Sequence, residues 1–420
     1  MSEMYVNNRK NFGEAMADGS ILIVFSGSAP VKRGDQFYPY APHRNFYYMT
    51  GIGRPGLAFM MKKDMKGNVS ARLYLERYDE LVAKWDGAAL SKEIAGEISG
   101  ITDFSYVDEL DGHVAGAFAR EKVQTVYMDF ENRSLSAPNT PELDYAKVLR
   151  EKFPAVALND AFPMFAKLRT IKADAEVEYL KKAAKVTGEG FVQLLTNVRP
   201  GMGEYELEAY LDYTYKKNGC RSAFNTIMAS GKNACVLHYG DNDCVIKDGD
   251  LVLVDYGAEW KCYCADVSRT FPANGKFTDR QKLLYNIVLG GLKLVINMAK
   301  PGVVFGTLNE SLIEYYAKEL AAIGLISDKD EVRKYYYHGV SHMLGLEVHD
   351  VTGGANRGAG LVLEPGMVFT VEPGLYIAEE GIGIRIEDDV LVTEKGCEVL
   401  TADIIREADD IEAFMAKHNK

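Results

Sequence analysis

No apolar run in these 420 residues is long enough to cross a bilayer. Ile21–Phe25 and Leu251–Val254 fall far short of the ~20 residues that a spanning helix needs. The polar, charged stretch Met1–Gly19 lacks the apolar core of a secretory signal, so no membrane association and a cytoplasmic location are expected. The six cysteines, Cys220, Cys235, Cys244, Cys262, Cys264 and Cys397, stand in no disulfide-like spacing, which predicts reduced thiols. Cys262-Tyr263-Cys264 would put two thiols on one strand face, but soft-metal sites usually gather four Cys or His donors, and none is expected here. No block of like charge suggests a tail. The 48 basic and 60 acidic residues leave a net charge of −12, which repels nucleic acid and anionic lipid and excludes both as expected partners.

What is present suits a globular protein: 47% hydrophobic and 26% charged residues can bury a sizeable core. The length exceeds what one core usually holds, so two domains are predicted, 1–163 and 164–420, with the boundary near Pro163 to Ala173. The first part alternates strand-like segments (Ile21–Phe25, Leu57–Met61, Leu73–Glu76, Thr125–Asp129) with helix-like ones (Arg9–Ala17, Tyr78–Trp85, Pro141–Lys152), an α/β pattern. Thr140 is the expected N-cap of the last of these helices, with Pro141 in its first turn.

Beyond the boundary, Asp174 is the expected N-cap of a long amphipathic helix carrying Val177, Leu180, Ala184, Phe191 and Leu194 at near-helical spacing. Arg199-Pro200-Gly201 ends it, and a second helix follows over Glu204–Lys217. The arrangement then recurs: Thr278-Asp279-Arg280-Gln281 forms a capping box, Lys300-Pro301-Gly302 ends the helix, and another follows over Leu308–Ala322. The strands echo each other too. Asp248-Gly249-Asp250 leads through Leu251–Val254 to Asp255, and Glu364-Pro365-Gly366 leads through Met367–Val371 to Glu372. Two copies are too few to stack as a solenoid, so one domain of two related halves is expected.

Four of the seven histidines, His238, His338, His342 and His349, share this region with Asp255, Asp266, Glu372 and Glu387. An acid directly after an apolar run, as Asp255 and Glu372 are, is costly to bury unless paired or metal-bound. The same holds for Glu387, between Ile386 and the apolar run Val390–Val392. Singly, each of these residues reads more simply as a turn, salt-bridge or core residue. The joint pattern across both halves carries the metal expectation. Carboxylates with one imidazole suit Mn²⁺ or a similar divalent ion. Two ions ~3.5–4 Å apart would activate a bridging water. His338 and His342 form an H-x3-H pair, but Gly339 stands where a zinc protease of that pattern carries its glutamate base.

Five segments in this order carry a specific resemblance: Asp255-Tyr256-Gly257; Ala265-Asp266-Val267-Ser268-Arg269-Thr270-Phe271; His338-Gly339-Val340-Ser341-His342 continuing to His349-Asp350; Val371-Glu372-Pro373-Gly374-Leu375-Tyr376; and Gly383-Ile384-Arg385-Ile386-Glu387-Asp388-Asp389. Together they resemble the aminopeptidase P and prolidase branch of the pita-bread metallopeptidases. The stretch from Gly27 to Gly51, with Asp35, Tyr38-Pro39-Tyr40 and Asn45-Phe46-Tyr47-Tyr48, is similar to the N-terminal domain of that branch. It departs from the common pattern at Ala41-Pro42 and Arg44-Asn45. Methionine aminopeptidases share the catalytic fold but typically lack such a domain, and creatinase shares both domains but lacks the metal ligands.

The resemblance implies an α/β N-terminal domain followed by an α+β pita-bread catalytic domain with internal pseudo-twofold duplication. It implies Asp255, Asp266, His342, Glu372 and Glu387 as ligands of two divalent ions, Mn²⁺ first with Zn²⁺ or Co²⁺ as alternatives, Asp266 and Glu387 bridging. His238, His338 and His349 would line the pocket and move protons, Arg385 would support a ligand carboxylate, and Tyr376 would line the site. The implied substrates are peptides with proline at the second position, cleaved before the proline. Prolidase, which takes only Xaa-Pro dipeptides, stays open, although the compact Tyr376–Gly383 connection leans towards the aminopeptidase. A non-catalytic peptide-binding module stands as the alternative from another class. Trp85, one of two tryptophans, sits where a helix meets Gly87. It either packs inside its own domain or, as the resemblance implies, reaches a neighbouring subunit's cleft and contacts substrate in a homo-oligomer, a dimer or tetramer.

Overall fold

A computed structural model of the chain describes residues 2–132, 134–352 and 360–418. It divides into two compact units, one through Leu168 and one from Arg169 onward.

The first unit is built on a six-stranded mixed sheet in the order Asp103–Tyr106, Val69–Leu75, Ala58–Lys63, Ser20–Phe25, Thr125–Met128, Ala157–Asp160. The strand Ser20–Phe25 runs antiparallel to Ala58–Lys63 and parallel to Thr125–Met128. Its residues Ile21 to Val24 are fully buried, as a continuous apolar run in a central strand requires. All four expected strands are present within a few residues. The outer strands Asp103–Tyr106 and Ala157–Asp160 were not expected, because each is only four residues long: the first buries Ser105 rather than its aromatics, and the second has no alternation and no buried residue. The helix expected from residue 9 starts earlier and runs Ser2–Ala15, because Met4 and Tyr5 join Phe12 on its buried face. Pro141–Lys152 is helical as expected, with the Thr140 side chain accepting from Leu143 N. The helix Glu80–Trp85 begins behind the Asp79 cap and has no buried residue.

In the second unit the long helix spans Asp174–Asn197. Its N-cap is Ala173, a correction to the expected Asp174: the Glu176 carboxylate reaches back to accept Ala173 N at 2.9 Å, placing Asp174 inside the first turn. Leu180, Ala184, Phe191 and Leu194 are buried on one face. The Phe191 ring centroid lies 6.2 Å from that of Tyr256 and 5.8 Å from that of Phe271, so the helix packs behind the strand that carries Asp255 and the strand that follows Asp266. A buried phenylalanine of this kind contributes about 2–3 kcal/mol. Thr278 caps Asp279–Met298 in the expected capping box with Gln281. The two helix stops end in Gly201 and Gly302, whose φ values of 94° and 87° lie in the left-handed region that favours glycine.

The strand echo is present in three dimensions. Ile227–Ser230, Leu251–Tyr256 and Val267–Pro272 form one antiparallel sheet; Val368–Val371, Asp388–Val392 and Cys397–Val399 form another. Asp255 lies near the end of one central run, and Glu372 directly follows its counterpart. Asp266 and Glu387 each directly precede the antiparallel partner strand. No helix among the described residues is long and apolar enough to cross a membrane.

Candidate metal centre

Pairing of Val371 with Asp388 places Glu372 and Glu387 at the same end of one sheet, and pairing of Asp255 with Ser268 places Asp255 and Asp266 at the matching end of the other. The two halves are joined there: Glu387 N donates to Ser268 O at 3.0 Å, and Ser268 Oγ donates to Glu387 Oε2 at 2.7 Å. His342 enters from the preceding loop, where its backbone pairs with Thr370.

The His342 ring shows what this site can bind. Its Nδ1 lies 3.1 Å from Met343 O; a carbonyl can only accept, so Nδ1 donates there and Nε2 is the ring nitrogen turned towards the acids. His342 Nε2 faces Asp266 Oδ2 at 3.4 Å and Glu372 Oε1 at 3.7 Å. Donor atoms of Asp266, His342 and Glu387 all lie within 4.8 Å of one another. Asp255 Oδ1 is buried without a hydrogen-bond partner. Acceptors thus converge from four carboxylates and an imidazole. Burial, then repulsion from Glu387 and Asp255, pushes the Asp266 carboxyl well above its ordinary range. Burial and Glu387 do the same to Glu372, and burial with Asp255 moves Glu387 up to about 7. A donor set of hard oxygens plus one imidazole fits divalent cations, which would cancel this repulsion.

Around the acids stands a layer that orients them. Arg385 Nε donates to Ser268 Oγ at 2.7 Å, NH1 to Tyr376 OH at 3.0 Å and NH2 to Asp255 Oδ2 at 2.7 Å. His338 Nδ1 donates to Gly339 O, so its Nε2 accepts from Tyr376 OH at 2.9 Å. Burial and the Arg385 charge hold the His338 pKa down to about 4, which keeps the ring neutral. His238 is exposed but close enough for its charge to act on His338. His349 is exposed, its ring centroid 4.3 Å from that of His342.

Trp85 is 83% exposed, which removes the expectation that it packs inside the first unit.

Several functional neighbours were not singled out from the sequence. Ser268 was readable in principle, because it shares a strand face with Asp266. Arg269, fully buried, donates to Ser268 O, Glu387 O, Ile404 O, Ile405 O and Asp388 Oδ1. Asp389 Oδ2 accepts Asp266 N at 3.2 Å, a link between halves that no local pattern announces. A second acidic grouping, Glu204, Asp243 and Cys244, reads as structural. Both Glu204 oxygens already accept protein donors, from Ser230, Asn233, Tyr239 and Cys244 N.

This fold and acid-lined centre define a metal-dependent hydrolase, and the comparisons with known proteins agree. Residues 178–394 match the metallopeptidase family M24 and residues 5–127 match the aminopeptidase P N-terminal domain; the chain belongs to family M24. Among its relatives is the Xaa-Pro aminopeptidase of Escherichia coli, 34% identical over 99% of this chain and 98% of that protein. The Xaa-Pro dipeptidase of Mus musculus is 33% identical over 89% of this chain and 84% of its own length. A solved structure described as a putative aminopeptidase P from Bacillus anthracis superimposes with a TM-score of 0.96 at 47% identity, covering 99% of each chain.

Proposed function

We propose that this protein is a Xaa-Pro aminopeptidase that uses two divalent ions, Mn²⁺ in the first place, to release an N-terminal residue preceding proline. The observation that carries the reading is the convergence of ligand atoms of Asp266, His342 and Glu387 within 4.8 Å of one another, with His342 Nε2 turned towards Asp266 and Glu372. Full-length similarity to the Escherichia coli enzyme supports the substrate class. In this reading Asp255, Asp266, His342, Glu372 and Glu387 hold the ions, and residues 1–163 and 164–420 are the N-terminal and catalytic domains. Bound ions supply Lewis acidity for polarising a carbonyl and acidifying water.

The chain's own residues do the rest. Arg385 fixes the orientation of Asp255 through a charge-assisted hydrogen bond. The same arginine turns Tyr376 OH so that it donates to His338 Nε2. His338, kept neutral, links Tyr376 OH to the wall beside Glu372 and lines the pocket there. His238 and His349, exposed near His338 and His342, move protons to the departing amine. A cytoplasmic setting is part of the reading, supported by six cysteines that are all free. So is a homo-oligomer in which Trp85 meets substrate at a partner's cleft, supported by the 83% exposure of Trp85 on a helix with no buried residue.

The test compares Xaa-Pro-Xaa tripeptides, Xaa-Pro dipeptides and Xaa-Ala-Xaa peptides, with and without added Mn²⁺, alongside metal analysis. Proline has no amide hydrogen and a fixed φ, so a site shaped for it should favour Xaa-Pro-Xaa strongly over the alanine series. Cleavage of dipeptides alone would make the protein a prolidase. Equal kcat/KM for proline and alanine peptides would make it a general aminopeptidase. Saturation at one ion with full activity would end the dinuclear reading.

A further inference from the structure

A buried ionic cluster lies beside the metal centre and has no part in the chemistry so far. Arg169 NH2 sits 2.5 Å from Asp350 Oδ1, and Lys172 Nζ sits 3.2 Å from Asp350 Oδ2. The three side chains are 3%, 1% and 1% exposed in the order Arg169, Asp350, Lys172. Each carboxylate oxygen is thus engaged by a different cation. Burial alone would raise the Asp350 carboxyl, but Arg169 and Lys172 together hold it below its ordinary range.

The backbone around the cluster explains its use. Asp350 N donates to Met343 O at 2.9 Å, closing the segment from 343 to 350 into a loop. Met343 is itself bridged to Phe369, and Leu344 N donates to Val368 O, so one side of the neck is fixed to the strand that leads to Glu372. His342 precedes that side and His349 precedes Asp350 on the other. Lys172 N donates to Gly366 O at 2.8 Å, anchoring the cationic segment to the turn before the same strand. Gly345 completes the fit. A Cβ there would stand 2.2 Å from Asp350 Oδ2 and 2.9 Å from Lys172 Cε, so the ion pair occupies the space a side chain would need. Buried ion pairs are weak sources of net stability, whereas their geometry is strict.

We infer that Asp350, clamped between Arg169 and Lys172 and packed on Gly345, is the positioning residue that sets His349 at its place beside His342. This rests on the proposed peptidase reading, in which His349 is a pocket residue.

The test is a double-mutant cycle on the full chain: Asp350→Asn, His349→Ala and the two combined, each with metal content and thermal midpoint measured. Asp350→Asn is expected to lower kcat by about 10- to 100-fold through misplacement of His349, with metal content per chain unchanged. The combined variant should be no slower than His349→Ala alone, because a group that acts only through His349 has nothing left to lose. Gly345→Ala keeps every charge and should give the same pattern, so it serves as the reporter where Asp350→Asn fails to fold. Multiplying losses in the cycle, loss of metal with Asp350→Asn, or unchanged kcat in Gly345→Ala would each overturn the inference. The cycle runs on any peptide the parent cleaves, so failure on Xaa-Pro substrates defeats the proposed function separately.

Discussion

Asp266 and Asp350 are acids of the same unit, 4% and 7% exposed, yet their surroundings drive them in opposite directions. Asp266 faces burial, Glu387, Asp255 and Asp389, with Arg385 opposing, and its carboxyl rises well above the usual range. Asp350 meets the same burial, but Arg169 and Lys172 bring it below that range. Depth alone therefore does not set the charge of a buried acid; the sign of its neighbours does. Around Asp350 the chain supplies its own cations. Around Asp266 it supplies mostly acceptors, and the balance has to come from outside. Asp388 repeats the first pattern, with Arg269 at 2.7 Å and Arg406 at 2.5 Å.

The largest break in this comparison is expected at the acceptor-rich centre. His342→Ala or Glu372→Ala should lose bound metal and lower kcat/KM by on the order of 10³-fold or more, because each removes a proposed donor. His238→Ala should keep its metal and lose about 10²-fold in rate, read by metal analysis beside kinetics. A metal-free His238→Ala protein would show that the two groups of residues have been divided wrongly.

Next in size is the self-balanced pattern. Arg269→Met leaves Asp388 with a single cation and strips five donors from a fully buried position. Urea unfolding of the metal-free protein should show a loss of about 3–5 kcal/mol. A loss under about 1 kcal/mol would make the pair dispensable.

Smaller still is the pH dependence that separates the two patterns. Asp350 has a depressed folded-state pKa, so its contribution is complete above the unfolded value, roughly pH 4, and is lost as pH falls through the lower folded value. The stability gap between the parent and Asp350→Asn should be full at neutral pH and narrow below about pH 4. A gap that stays constant down to pH 3 would mean that Asp350 is not held as a carboxylate.

The smallest effect is expected outside both patterns. Trp85→Ala should raise KM for tripeptides by a factor worth about 1–2 kcal/mol while leaving the thermal midpoint unchanged, because the side chain is 83% exposed. A monomer in sedimentation at assay concentration would remove this role.

The sequence made some of this visible and hid the rest for identifiable reasons. Asp255 and Glu372 stood out because an acid ending an apolar run conflicts with its own local pattern. The paired helix and strand signals of the second unit were readable because caps and stops are local: Thr278 with Gln281, Gly201, Gly302. The strands Asp103–Tyr106 and Ala157–Asp160 were not, since their neighbours in the sheet define them more than their own residues do. The Asp350 cluster was invisible for a different reason. Arg169 and Lys172 lie 181 and 178 positions away from it in the chain, and nothing in either segment names the other. The Ala173 cap was misplaced by one residue because an acid at 174 suits either the cap or the first turn.

The seam between the halves has a consequence for the newly made chain. Glu387 is aligned by Ser268, and Arg269 needs the carbonyls of Ile404 and Ile405. Translation delivers the Asp255 and Asp266 strands long before these partners exist, so an emerging chain carries an incomplete and self-repelling set of acids. The complete acid set is then a late product of biogenesis, formed once the segment around Ile405 has emerged, and a ribosome stalled ahead of that segment should display a catalytic unit that binds divalent ions poorly.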